Sequence, residues 1–269
     1  MIKDITIGQY FPGTSPVHRM DARVKIILTA VFIVMLFIAD SLLGLAVGAV
    51  FTLLVFVISR IPLKMMLKSM KPILPLIIIT ALLNLFFVST GDVLFKWKFI
   101  KITEDGVNNS IFMVVRIILL ICGSSLLTYT TSPIDLTDAI ERLLLPLKKI
   151  KVPVHELAMM MTIALRFIPT LIEETDKIMS AQKARGADME TGGLLQRAKA
   201  MIPILIPLFV ASFRHAEELA LAMECRCYHG GEGRTRMKQL KMSIIDLWGA
   251  LWCAAFLAGV IVINILGGK

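Results

Sequence analysis

Apolar residues run along this chain in long blocks, the pattern of helices that cross a bilayer. The first block is Ile26 to Ala39. Asp40 and Ser41 interrupt it, and Leu42 to Ile58 follows. Each half approaches the lower limit of about 17 residues for a span once its flanks are added, which predicts a helical hairpin turning at Asp40-Ser41. One long kinked helix is the alternative. Pro72 to Ser89 forms a third block, with Pro75 near its start and Asn84 inside it. Val107 to Thr128 is the fourth and carries Arg116, and Ile244 to Leu266 is the last. The fold class expected is therefore an all-α integral membrane protein with about five spanning helices.

Thr131 to Met242 breaks this pattern, mixing apolar runs with dense charge. Val152 to Ile172 holds His155, Glu156 and Arg166. Pro203 to Met223 holds Arg214, His215, Glu217 and Glu218. Charges inside a span are costly, whereas a helix with one apolar stripe suits an interface or a partner. Three amphipathic helices are predicted. The first starts at Ser132-Pro133, a good N-cap followed by proline in the first turn, and ends near Leu145. Pro146 and Pro153 bracket its exit. The second runs from Val154 to Lys183 with a bend expected at Pro169, and the third from Leu195 to Cys225. Glu173–Lys177 and Arg214–Glu218 have the i,i+4 spacing of ion pairs. Three regions follow: a membrane part at 1–130, a module of amphipathic helices at 131–242 and a terminal span at 243–269.

Composition sharpens the picture. The 269 residues are 57% hydrophobic and 18% charged, with mean hydropathy +0.78. That excludes an ordinary cytosolic enzyme and a secreted disulfide scaffold. The net charge of +9 is explained by basic loops at a cytoplasmic surface, with no need for nucleic acid as a partner. Lys3, Arg19, Arg23 and Lys25 precede the first block. Arg60, Lys64, Lys68 and Lys71 follow the second, and the segment Gly91 to Gly106 sums to zero charge. The positive-inside rule then puts the N-terminus in the cytoplasm and the C-terminus outside. Met1 to Gly13 lacks the apolar run of a cleaved signal peptide. Four cysteines, with Cys122 and Cys253 in apolar blocks, do not suggest disulfides.

Little in the chain suggests catalysis. Gly230 to Thr235 lacks the spacing and the lysine of a phosphate-binding loop. His155-Glu156 opens like a zinc-protease motif, but Met159 stands where its second histidine belongs. Cys225, Cys227 and His229 admit a soft-metal reading. No fourth ligand is in view, so packing at a helix end is expected instead, with no metal or other cofactor. Arg116 is read as a structural ion-pair candidate and His18 as part of a structural N-terminal segment. Two triplets remain, Ala184-Arg185-Gly186 and Cys225-Arg226-Cys227, each closing a long amphipathic helix. Cations at helix C-termini compensate the macrodipole. An arginine at a rigid helix tip also suits docking into an acidic groove, because its planar fork binds carboxylates in bidentate fashion.

The order of motifs resembles the transmembrane T component of energy-coupling-factor (ECF) transporters over almost the whole chain. Carrying it are Gly8-Gln9-Tyr10, Ser15 and His18 to Lys25. Arg166 to Leu171, Glu173-Glu174 and Ala181 to Gly186 follow, then Ala216 to Glu224 leading into Arg226 and Tyr228, and Arg234-Thr235. Ala22 replaces a proline common in the family, and cysteines flank the second arginine. The resemblance implies an importer subunit with no ATP hydrolysis and no direct small-molecule substrate. Its partners would be two ABC ATPases, whose grooves take Arg185 and Arg226, and an S component that captures a vitamin or metal ion. A multi-pass location in a bacterial cell membrane follows. The methionines of the amphipathic helices, among them Met159, Met160, Met161, Met179, Met201 and Met223, suit a pliable surface for different S components or ordinary apolar packing. The alternatives are a self-sufficient secondary transporter, which needs a polar site among the spans, and a membrane-embedded enzyme.

Overall fold

The computed structural model describes residues 10–87, 93–97, 100–187, 193–230 and 242–267. The chain divides into two compact units. One comprises Gly8–Leu136 with Gln239–Lys269, the other Met1–Ile7 with Thr137–Lys238.

The first unit is the apolar one. Ser15 accepts a hydrogen bond from the His18 amide to start a single turn, α1 (Pro16–Arg19). Asp21 caps α2 (Ala22–Ile38), and Ser41 caps α3 (Leu42–Ser59) by accepting from the Gly44 amide. The hairpin at Asp40-Ser41 is therefore two helices and not one. A short amphipathic helix, α4 (Leu63–Met70), passes through a tighter turn at Lys71–Ile73 into α5 (Leu74–Phe87). The neutral segment before the fourth span holds a two-stranded antiparallel hairpin, β1 (Val93–Trp97) with β2 (Ile100–Thr103), pairing Lys96 with Lys101. Thr103 caps α6 (Glu104–Thr130), and α10 (Ile244–Gly267) completes the unit.

Three of the four central helices, α2, α6 and α10, are tied to one another by polar contacts at both ends of α2. At one end the Asp21 amide donates to Asp246 Oδ1 of α10 at 2.8 Å, and Lys25 Nζ donates to the Thr130 carbonyl of α6 at 2.8 Å. At the other end Asn264 of α10 donates to the Ile38 carbonyl, and Arg116 of α6 donates to the Ala39 carbonyl at 2.6 Å. Hence α2 and α10 run parallel, and α6 runs against both. Between these ends Phe32, Met35, Leu36, Leu45, Leu119 and Val260 form the core. Gly123 is needed there, since a Cβ on it would fall 2.2 Å from the Phe32 ring. The outer faces carry exposed Leu43, Val57, Phe87 and Leu266. In water such surface is a liability, but against lipid tails it is the ordinary exterior.

The second unit contains the charged helices. Ser132 accepts from the Asp135 amide and donates to its carboxylate, starting α7 (Pro133–Leu144), whose later residues belong to this unit. A tight turn over Leu145–Ile150 absorbs Pro146, and Pro153 stands at the start of α8 (Val154–Ala184). That helix continues unbroken through Pro169. Then comes α9 (Leu194–Glu224), which contains Pro203 and Pro207.

The number of apolar helices differs from five. Among the described residues six helical stretches are long and apolar enough to cross a membrane, including Val154–Ala184 and Ala198–Glu224. α2, with 17 residues, falls just short. Length and mean hydropathy register the apolar stripes of α8 and α9 but not which side the charges occupy, so those two helices satisfy the span criterion with charged residues on board.

Candidate functional site: two matched helix ends

α8 and α9 lie side by side in opposite directions. Near one end Gln182 Nε2 donates to the Pro203 carbonyl at 3.4 Å. In the middle His215 Nε2 lies 3.1 Å from Glu174 Oε2, and the His215 ring lies 6.0 Å from that of Phe167. Near the other end the Tyr228 hydroxyl donates to Met159 Sδ at 3.1 Å. As the residue number rises on one helix it falls on the other. His215 also comes within 3.7 Å of Glu218. Neither expected i,i+4 pair forms among the described residues: His215 takes Glu218, and the acid facing it from α8 is Glu174, not Glu173.

The two C-terminal ends share one backbone design. At α8 the Gly186 amide donates to the Lys183 carbonyl at 3.0 Å and the Ala187 amide to the Gln182 carbonyl at 3.0 Å. Gly186 has φ +86°. At α9 the Cys227 amide donates to Glu224 at 2.9 Å and the Tyr228 amide to Met223 at 3.1 Å, with Cys227 at φ +54°. Both are the paired 6→1 and 5→2 bonds of a Schellman cap. In each, the residue before the left-handed position is an arginine. Arg185 and Arg226 are therefore structurally equivalent, as are Ala184 with Cys225 and Gly186 with Cys227. All six are exposed. Among the described residues neither guanidinium has a hydrogen-bond or ion-pair partner.

Antiparallel packing places these ends far apart. Tyr228 marks the α9 tip at the level of Met159, and the α8 tip is at Arg185. At 1.5 Å per residue the separation along the pair is about 40 Å. The two triplets are thus not one composite site but two copies of one device at opposite ends of a rod. Met160, Met161 and Met201 are exposed on the same two helices.

The N-terminal segment is structural, as its sequence suggests. His18 Nε2 meets the Phe11 carbonyl at 3.0 Å and its Nδ1 meets Ser15 Oγ at 2.6 Å. Burial, opposed by the Phe11 hydrogen bond and aided by the Lys25 charge, holds the His18 pKa below its ordinary value. Burial works against ionisation of Asp21, but hydrogen bonds from Arg23, 2.7 Å away, outweigh it and hold the carboxyl below its usual range. Gly8-Gln9 and Arg234-Thr235 lie outside the described residues.

Arg116 needs correction. No carboxylate meets it among the described residues. It caps the Ala39 carbonyl and stacks over Phe112, 4.5 Å from its ring centre. Asn84 donates to the Thr80 carbonyl of its own helix at 2.9 Å. The sequence reading also missed the pair of His155 Nδ1 with the buried Glu141 Oε1, at 3.1 Å, which ties α7 to α8. Buried carboxylates are rare unless paired, but no spacing rule links positions 141 and 155.

A family model described as a cobalt transport protein, CbiQ, matches residues 13–237. The chain is 56% identical over 265 residues to the energy-coupling factor transporter transmembrane protein EcfT of Clostridium kluyveri, covering 98% of each. Its namesake in Ruminiclostridium cellulolyticum is 56% identical over 247 residues, 92% of each chain. That of Bacillus subtilis is 48% identical over 240 residues, 89% of this chain and 91% of its own.

Proposed function

This chain belongs to the CbiQ family of transmembrane transporter proteins, and from that premise we propose that it is the coupling subunit of an ECF importer, joining two partner ABC ATPases to a substrate-binding S component. It is a multi-pass membrane protein. The observation that carries the proposal is the equivalence of Arg185 and Arg226, exposed and without a partner among the described residues, on caps of one design at opposite ends of one helix pair. Two tips about 40 Å apart serve two ATPases, one each. Each guanidinium fork enters an acidic groove, where a bidentate pair gives orientation as well as attraction. Because the ATPase dimer closes on ATP and opens on hydrolysis, the tips move with it. The rod transmits that displacement to the S component, so coupling rests on a contact that differs between two states. The S component sets the micronutrient carried, and the exposed methionines offer it a compliable seat.

The helix pair lies along the cytoplasmic surface, not across the bilayer. α6 ends and α10 begins at the same end of the first unit, so the chain between them crosses an even number of times. Two crossings by antiparallel α8 and α9 would put Arg185 and Arg226 on opposite sides of the membrane. No crossing leaves both in the cytoplasm with the ATPases. A secondary transporter gains no support, since Asn84 and Arg116, the polar side chains expected among the spans, each donate to a backbone carbonyl.

Replacing both arginines by alanine is expected to abolish ATP-driven uptake and weaken ATPase recovery with the tagged chain, with membrane insertion unchanged. Normal uptake together with normal complex recovery would overturn the assignment.

A further inference from the structure

Between α3 and α10 the first unit opens a cleft of about 370 Å³. Its floor is buried and includes Phe32 of α2, Thr52 of α3 and Leu126 of α6. Its mouth is exposed, with Leu54 and Ile58 on one side and Trp248 and Trp252 on the other. Both pairs are spaced i,i+4, so each forms a stripe along its helix. At the inner end the cleft is shut by aromatic rings: Phe51 lies 5.7 Å from Phe32 and 5.0 Å from Phe256, centre to centre. At the outer end are Met20, beside α1, and Lys25. The walls run through residues 25–32, 51–58, 123–130 and 245–252, two turns of each helix and about 10 Å along their axes.

Inside the tryptophans of the mouth, the hydroxyl and ammonium donors of the lining are already engaged. Thr29, Thr52 and Thr130 each donate to a carbonyl of their own helix, at 2.8, 2.8 and 2.7 Å. Lys25 is spent on His18, Thr130 and Thr131. A slot parallel to spanning helices, open sideways and lined by hydrocarbon fits a hydrocarbon chain running along the bilayer normal. The outer rim selects the headgroup. Asp21 is held by Arg23, and Asp246 accepts from the Asp21 and Ser243 amides. Arg19, exposed and next to Met20, has no partner among the described residues. Trp248 and Trp252 are 60% and 53% exposed, as tryptophans are where tails meet headgroups. We propose that this cleft is a lipid site, holding one acyl chain of an anionic phospholipid whose phosphate pairs with Arg19.

Two of the three tryptophans line the mouth, so the protein carries its own probe. Trp97→Phe leaves only those two. Phosphatidylglycerol with brominated chains, titrated into this variant in detergent, is expected to quench fluorescence saturably at one lipid per protein. Arg19→Ala is expected to weaken the affinity about fivefold, the loss of one surface cation. Leu54→Phe, which fills the mouth, is expected to abolish the saturable phase. Quenching that rises without saturation, equally in all three variants, would overturn the proposal. Native mass spectrometry of the wild-type chain gives an independent reading should Leu54→Phe fail to fold. One retained anionic phospholipid supports the site. Complete delipidation in the mildest detergent, or retention only of a partner protein, overturns it.

Discussion

Lys25 is 6% exposed, and its Nζ donates to the His18 and Thr130 carbonyls and to the Thr131 hydroxyl. Lys25→Met leaves those acceptors without their donor and is expected to cost about 3 kcal/mol, because a buried acceptor that loses its partner keeps its desolvation cost. Thermal unfolding of both proteins in detergent checks it. Cys227 presents a different cost, a side chain at φ +54° where its counterpart on α8 is a glycine at φ +86°. Cys227→Gly is expected to stabilise the α9 end by about 1 kcal/mol, and Gly186→Ala to destabilise the α8 end by a similar amount. Amide exchange at Met223–Tyr228 and Lys183–Ala187 measures both, with no clash at Gly186 to complicate it.

The helices of the first unit are tied at their ends as well as packed through their middles. The last carbonyls of α2 are capped from outside, Ile38 by Asn264 and Ala39 by Arg116. Arg116→Met is expected to cost about 2 kcal/mol and Asn264→Ala about 1, because each strands an acceptor in a low-dielectric setting. Thermal melts of single and double variants would show it, and full additivity would mean that the two caps act independently. Ser15, Asp21, Ser41 and Ser132 each cap a helix locally. Ser132 was legible in the sequence as a cap, and Asp40-Ser41 as a turn, because such signals are local, set by a side chain two or three residues from its amide. The partners of Arg116, Lys25 and His215 were not, because 77, 105 and 41 positions separate donor from acceptor. The β1–β2 hairpin was missed for another reason, since its three lysines and short length hide any alternation. At the candidate site the two arginines were visible as triplets. The identity of their caps was not, because Cys227 occupies a position that sequence rules assign to glycine.

For the whole molecule, what matters is which side of the membrane each tip faces. Polar contacts set α2 and α10 parallel with α6 reversed, and the chain leaves this unit at Leu136 and returns at Gln239. With Cys225 and Cys227 replaced by serine, an Ala184→Cys reporter is expected to react with an impermeant maleimide only from the cytoplasmic side. The native Cys225, assayed separately, is expected to do the same. Labelling from opposite sides would mean that α8 and α9 span the bilayer. Sequence hydropathy could not decide this, since an in-plane helix with a broad apolar stripe averages to the same value as a span. The matched caps have one more consequence. Their backbones are alike but their surfaces are not: Ala184 and Gly186 present nothing to an electrophile, while Cys225 and Cys227 present two exposed thiols, and Cys122 and Cys253 are buried. A thiol reagent therefore distinguishes two helix ends whose main chain is the same, and either arginine-bearing tip becomes separately addressable in the unmutated protein.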